Sequence, residues 1–330
     1  MNHANRRRFL LATVAWFGAP FAAAQQSRGE TAHIGILVGG SIAQRGHLEQ
    51  ALLQGLRDQG YVEGRNLVIE RRYADGRRER VPEFARELAA MKLDVVVTTC
   101  TPSTRAARQA SASMSIVMAA VADPVGQRLI ASLAKPGANI TGLSSQAEDI
   151  LPKMMELFSG VLPKPATVAV LVQGGSDVHP RMWQQLVPIA QALELRLVKI
   201  DVADSASLPA AFDTALREKA TAVFVLPDEP LFITIRPRII ELAAEHRLPA
   251  FYGAREFVDD GGLMSYGENL RTAYRNAATY ISNLGRGAKP ADLPVEQPTK
   301  FELVINLKTA KALGITIPQT VLLRADEVIQ

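Results

Sequence analysis

The side chains able to do chemistry in this 330-residue sequence are mostly hydroxyls, glycines and single carboxylates that follow short apolar runs. Gly39, Gly40 and Ser41 follow the run at residues 34–38, and Thr99, Cys100, Thr101, Pro102 and Ser103 close the run that begins at residue 94. Asp123 and Pro124 come after residues 116–121, and Ser144 and Ser145 after residues 140–143. Further on, Gln173, Gly174, Gly175, Ser176 and Asp177 follow residues 167–172, Asp228 and Glu229 follow residues 222–226, and Tyr252 precedes Gly253. Hydroxyls and backbone N–H groups at helix starts suit a carboxylate or another anion. Asp123 or Asp228 suits an ammonium. Tyr252 fits either ligand stacking or core packing. Each position alone also fits a plain turn or helix cap; their common place after apolar runs is what groups them.

Catalytic signatures are missing. There is no G-x-S-x-G elbow, no P-loop, and Gly35 to Gly40 do not give the G-x-G-x-x-G register. His33, His47, His179 and His246 are scattered singly, without the spacing of metal ligands. Cys100 is the only cysteine, so no internal disulfide forms, and its apolar setting predicts a buried, inert thiol. No metal and no cofactor is expected.

The elements that must position these residues follow from periodicity. Apolar runs at 34–38, 67–73, 94–99, 116–121 and 140–144 predict strands. Between them, residues 47–59, 78–91 and 102–110 predict helices, the last with Pro102 in its first turn and a threonine cap. The rhythm restarts with strands at 167–172, 196–201, 222–226, 250–252 and 262–266 and helices at 180–193, 208–219, 232–246 and 270–284. The tail predicts a strand at 301–305, a helix at 307–313 stopped by Gly314, and a strand at 321–323. Continuous apolar strands alternating with helices predict parallel sheets covered on both faces. Two such series predict two α/β lobes, and ligands of such sheets bind beyond the carboxyl ends of the strands.

The N-terminus reads as a leader: Arg6, Arg7 and Arg8, an apolar stretch, then small residues at Ala22 and Ala24. The arginines ahead of Phe9 and Leu10 fit twin-arginine export, with cleavage near Ala24 at residues 1–24 and a periplasmic destination. The formal charge of +4 includes those three arginines, leaving the rest near neutral. That gives no case for nucleic acid. The one basic cluster, Arg71, Arg72, Arg77, Arg78 and Arg80, reads as a solvated strand end and helix start or, less simply, a phosphate site.

Several phrases carry a resemblance. They are Gly60 to Asn66 (GYVEGRN), Ala122 to Val125 (ADPV), Lys135 to Ser144 (KPGANITGLS), Gly261 to Gly267 (GGLMSYG) and Pro294 to Asn306 (PVEQPTKFELVIN). Together they resemble the ABC transporter substrate-binding proteins of the tryptophan/tyrosine-transport type, over nearly the whole chain after the leader. The resemblance implies a type I periplasmic-binding-protein clamshell: two Rossmann-like lobes, residues 32–144 plus 267–297 and residues 145–266 plus 298–330. It implies hinges near residues 144–146, 265–269 and 296–299. It places ligand contacts at Thr101, Pro102, Ser103, Asp123, Ser144 and Ser145; Gly40, Ser41, Gly174, Ser176, Asp228 and Tyr252 join them as candidates from their place after the apolar runs. The second lobe departs from the aromatic-amino-acid pattern in carrying Asp228-Glu229 where Asp-Asn is usual. The implied function is capture of a small polar or aromatic, amino-acid-like solute by a monomer, for delivery to an ABC permease and its ATPase. A periplasmic sensor feeding a receptor kinase or chemoreceptor is the alternative, and a secreted α/β enzyme a weaker one.

Overall fold

A computed structural model describes residues 31–330; the leader lies outside the described residues. The first lobe opens with β1 (Ala32–Val38), α1 (Ile42–Asp58), β2 (Leu67–Tyr73), α2 (Val81–Ala90), β3 (Val95–Thr98), α3 (Thr101–Ala110), β4 (Ile116–Val121) and β5 (Ile140–Ser144). The chain then crosses to α4 (Leu151–Ser159), β6 (Ala166–Gln173), α5 (His179–Ala192), β7 (Leu195–Val202), α6 (Leu208–Arg217) and β8 (Ala222–Val225). It continues through α7 (Pro230–Thr234), α8 (Arg236–Glu245), β9 (Ala250–Tyr252), α9 (Arg255–Asp259) and β10 (Met264–Glu268). Helix α10 (Leu270–Gly285) returns to the first lobe, and β11 (Phe301–Asn306), α11 (Leu307–Leu313), α12 (Gln319–Leu322) and β12 (Glu327–Ile329) complete the second.

The five-stranded sheet runs β2-β1-β3-β4-β5, all parallel, and the seven-stranded sheet runs β12-β11-β10-β9-β8-β6-β7 with only β10 and β11 antiparallel. Side chains alternate across β1. Ile34, Ile36 and Val38 pack under α1 and α10, while Leu37 faces the α2 and α3 side. The second sheet is likewise covered by one layer built on α4 and α5 and another built on α6 and α8. Both faces are therefore buried, which is why the strands read as unbroken apolar runs. Gly55 allows α1 and α10 to touch: a Cβ there would lie 2.3 Å from the Arg275 carbonyl oxygen.

The end of β5 meets the segment around Glu296 where the chain changes lobes. The Ser144 N–H donates to the Glu296 carbonyl at 2.9 Å and the Glu296 N–H to Gly142 at 3.0 Å. The segment between α10 and β11 thus pairs with the edge of the first sheet before joining the second. Several local expectations change. Residues 232–246 form two helices, α7 and α8, with Ile235 between them, instead of one. Residues 321–323 belong to a helical turn, and the last strand is Glu327–Ile329, held beside β11. Helix α3 starts at Thr101 with Cys100 as N-cap, and Ser103 takes over the capping expected of a threonine: its Oγ accepts the N–H of Thr99 at 3.1 Å and of Cys100 at 3.2 Å. Gly314 ends α11 at φ +71°, as a left-handed stop.

Candidate ligand-binding site between the lobes

Residues at the carboxyl ends of β3, β4, β8 and β9 meet at a seam and line a cavity of about 70 Å³. By the same measure one water needs ~10–15 Å³. Part of the cavity's lining is apolar: Ile150, Val225, Leu226, Phe232 and Phe257. The rest is largely polar: Arg45, Thr99, Ser145, Asp228, Glu229 and Glu268. Four polar atoms on this cavity, Arg45 Nε, Ser145 Oγ, Glu229 Oε2 and Glu268 Oε1, are buried with no hydrogen-bond partner in the protein. Buried polar groups are ordinarily satisfied, so four orphans around one space mark a place built for a polar molecule.

The lobes are in contact around it. Thr101 Oγ1 donates to Asp228 Oδ2 at 2.9 Å. Because Cys100 and not Thr101 stands at the N-cap of α3, the Thr101 hydroxyl is free to make this bridge. Arg78 lies 3.3 Å from Glu229 and 3.5 Å from Asp177, which also pairs with Arg105 at 3.4 Å. His47 Nε2 is 3.1 Å from Glu256. Gly39 sits so close to the second lobe that a Cβ would lie 2.6 Å from Pro230. Four of the five arginines of the basic cluster pair with acids of the chain itself: Arg71 with Glu49 and Glu63, Arg72 with Glu87, Arg80 with Asp75, and Arg78 with Glu229 across the seam.

Burial sets the electrostatics. The Asp228 carboxyl is pushed up to about 8 by desolvation and then by the neighbouring Glu229, against the hydrogen bond from Thr101. Desolvation likewise raises Glu229 to about 7 and Glu268 to about 8, the latter with added repulsion from Asp228 and Glu256. Asp228 stands at φ +65°, a left-handed conformation that aspartate and asparagine tolerate better than most. The loop carrying it is clamped by His179. The imidazole Nδ1 accepts the Gln173 N–H at 2.9 Å, and Nε2 lies 2.9 Å from the Pro227 carbonyl. The first contact requires an unprotonated Nδ1, so Nε2 carries the proton and donates to Pro227. Burial depresses this histidine to about 4.

The residues singled out from sequence fall in different places. Ser145 and Asp228 line the cavity, and Thr101 touches Asp228. Asp123 and Ser144 line a second space of about 330 Å³ beside the crossing segments. There Asp123, at φ +36°, accepts the Gly126 N–H at 2.8 Å and pairs with Arg181, which also holds Glu148 at 2.7 Å. Ser41 precedes α1 without capping it through its side chain, and Gly40 forms the turn before it. Pro102 and Ser103 form the first turn of α3. Ser176 Oγ accepts the N–H groups of Val178 and His179 at 3.3 and 3.2 Å, and Gly174 lies in the same turn. Tyr252 is 1 % exposed and stacks on Phe257 with ring centroids 4.4 Å apart, in the core of the second lobe. That is the core-packing alternative for this residue.

Arg45, Glu268, Ile150, Phe232 and Phe257 were not singled out. Arg45 had a readable signal, since it continues the Leu48-Leu52-Leu56 face of α1 and is 8 % exposed. Glu268 lies at the end of a strand that runs two residues further than the apolar pattern predicts.

The comparisons agree with this geometry. The family model for the ABC transporter substrate binding protein matches residues 34–329. A tyrosine-binding protein of Clostridioides difficile (strain R20291) is 27% identical over 268 residues, which span 81% of this chain and 76% of the relative. The crystal structure of a conserved domain protein from Vibrio cholerae superposes with a TM-score of 0.83 at 30% identity, covering 91% of this chain and 100% of that one. An ABC domain from Streptococcus pneumonia in complex with L-Trp superposes with a TM-score of 0.79 at 28% identity, covering 90% and 100%. With two lobes of parallel sheet closing on a polar and apolar cavity, this chain belongs to the ABC transporter substrate-binding protein family, with the type I periplasmic-binding-protein fold.

Proposed function

We propose that this substrate-binding protein captures an amino-acid-like solute with an apolar side group and presents it, outside the cytoplasm, to a membrane permease driven by an ATPase. The observation that carries the reading is the cavity between the lobes, lined both by side chains with orphaned polar atoms and by Ile150, Phe232 and Phe257. The tyrosine-binding relative and the L-Trp complex support the ligand class. A ligand touching both lobes binds the closed form better and shifts the population towards it. The crossing segments at residues 144–146, 265–269 and 296–299 are the proposed hinges, with residues 32–144 plus 267–297 moving as one lobe and residues 145–266 plus 298–330 as the other. The protein acts as a monomer after a leader is cut near Ala24. Mass spectrometry of the intact exported protein checks the cleavage. Unfolding protein purified from its native compartment and identifying the released solute by mass spectrometry, followed by calorimetry with an amino-acid panel, tests the function. A released sugar, or no heat from any amino acid, would refute the reading.

A further inference from the structure

The geometry points to a division of labour inside the cavity: the ligand carries a protonated amine and an anionic group on one apolar body, Glu268 receives the amine, and Arg45 receives the anion. This rests on the reading of the chain as a receptor for an amino-acid-like solute, and adds to it the two residues that tell such a solute from its amine-free and acid-free counterparts.

Arg45 is a guanidinium 8 % exposed, held by the Tyr274 hydroxyl at 3.4 Å from Nη1, with Nε buried and unpartnered. Among the described residues no carboxylate lies within ion-pair distance of it. An arginine stays charged in proteins, and an unpaired buried charge is costly. The group is therefore completed by an anion arriving in the cavity that it lines. Glu268 is the converse case. Its Oε1 is buried without a partner, and it has no basic partner among the described residues. The charges that act on it are those of Asp228 and Glu256, both acidic. A cation entering the cavity relieves that repulsion.

Each of the other acids already has at least one partner. Asp228 accepts from Thr101, Glu229 pairs with Arg78, and Asp123 pairs with Arg181 beside the second space. Glu268 thus takes the ammonium role that the sequence offered to Asp123 or Asp228. Arg45 stands on α1 of the first lobe and Glu268 on β10 of the second sheet. Glu268 ends β10 where the chain crosses back to the first lobe, so both charged groups are held on that side, and the zwitterion reaches the second lobe through its apolar body, which meets Ile150, Leu226, Phe232 and Phe257.

The test is calorimetry on protein stripped of solute by unfolding and refolding. The titrants are L-tryptophan, tryptamine and indole-3-propionate, together with L-tyrosine, tyramine and 3-(4-hydroxyphenyl)propionate. The proteins are the wild type, Glu268→Gln and Arg45→Met. Glu268→Gln is expected to weaken the amino acid and the amine by roughly tenfold to a hundredfold, and to leave the amine-free acid within about twofold. Arg45→Met is expected to weaken the amino acid and the acid and to spare the amine. Thermal unfolding serves as the second readout: Glu268→Gln removes an unpaired carboxyl, so its ligand-free Tm is no lower than that of the wild type. The assignment is overturned if Glu268→Gln binds the amino acid as the wild type does, or weakens the amine-free acid equally. Wild-type protein that binds neither amino acid would remove the amino-acid reading and this assignment with it, whereas wild-type binding with an indifferent Glu268→Gln removes the assignment alone.

Discussion

Asp228 shows how a single residue couples burial to pH. Its carboxyl stands at about 8 in the fold and near 3.9 in the unfolded chain. The folded state therefore binds more protons between those values. Stability from this group is complete below the unfolded value and is lost as pH rises through the folded one. Asp228→Asn keeps a side chain suited to φ +65° and does not titrate. We expect the Tm of ligand-free Asp228→Asn to exceed that of the wild type by a margin that grows from pH 5 to pH 8. A constant margin in differential scanning calorimetry would contradict this. His179 works in the opposite direction. It is neutral in the fold at about 4 and near 6.5 when unfolded, so its contribution is present above the unfolded value and is lost as pH falls towards 4. His179→Ala leaves the Gln173 N–H and the Pro227 carbonyl without their partner. Each unsatisfied buried group costs about 1–3 kcal/mol. Urea unfolding of His179→Ala at pH 7.5 is expected to show a loss in that range or above, with less acid sensitivity than the wild type.

At the scale of elements, the contact of α1 with α10 supports the site from behind. Helix α1 carries Arg45 and α10 carries Tyr274, whose hydroxyl holds that guanidinium. The helices meet over Gly55, where a Cβ would collide with the Arg275 carbonyl at 2.3 Å. The atom met is backbone, so the helices must part. Gly55→Ala is expected to cost about 1–3 kcal/mol, the usual range for overpacking, and to weaken ligand binding by moving Tyr274 away from Arg45. Chemical unfolding and calorimetry on one preparation check both effects. Unchanged stability would show that the helices yield more easily than their packing implies. Helix α3 contributes through its first turn: Cys100 stands at the N-cap and so leaves Thr101 free to reach Asp228.

At the scale of the whole molecule, function depends on the balance between separated and closed lobes. The seam is crossed by Arg78 to Glu229 and Asp177, Arg105 to Asp177, His47 to Glu256, and Arg181 to Asp123. Most of these pairs are partly exposed, and such pairs contribute about 0.2–1 kcal/mol each. Together they bias the equilibrium without locking it. Replacing Arg78 and Arg105 by alanine is expected to enlarge the ligand-free radius of gyration in X-ray scattering and to lower ligand affinity by roughly twofold to tenfold, the loss growing as salt falls. Scattering curves that match the wild type with and without ligand would contradict the role of these pairs.

Much of the architecture was legible in the sequence because strand and helix periodicities are local. Ile34, Ile36 and Val38 with Leu37 between them announce a strand buried on both faces, and Leu48, Leu52 and Leu56 a helix lying on it. The loops after the strands were legible for the same reason, and Ser145, Thr101 and Asp228 do meet at the seam. What lay beyond the sequence was which of those loops share a space. Asp123 and Asp228 look alike along the chain, yet the fold sends one to Arg181 and the other to the closed cavity. Arg45 and Glu268 stand 223 positions apart, and only the crossing of the chain between lobes brings them to one cavity. Local pattern determined the elements and the edge where a ligand binds. Tertiary structure decided which charges are left without partners there, because pairing depends on distances through space and not along the chain.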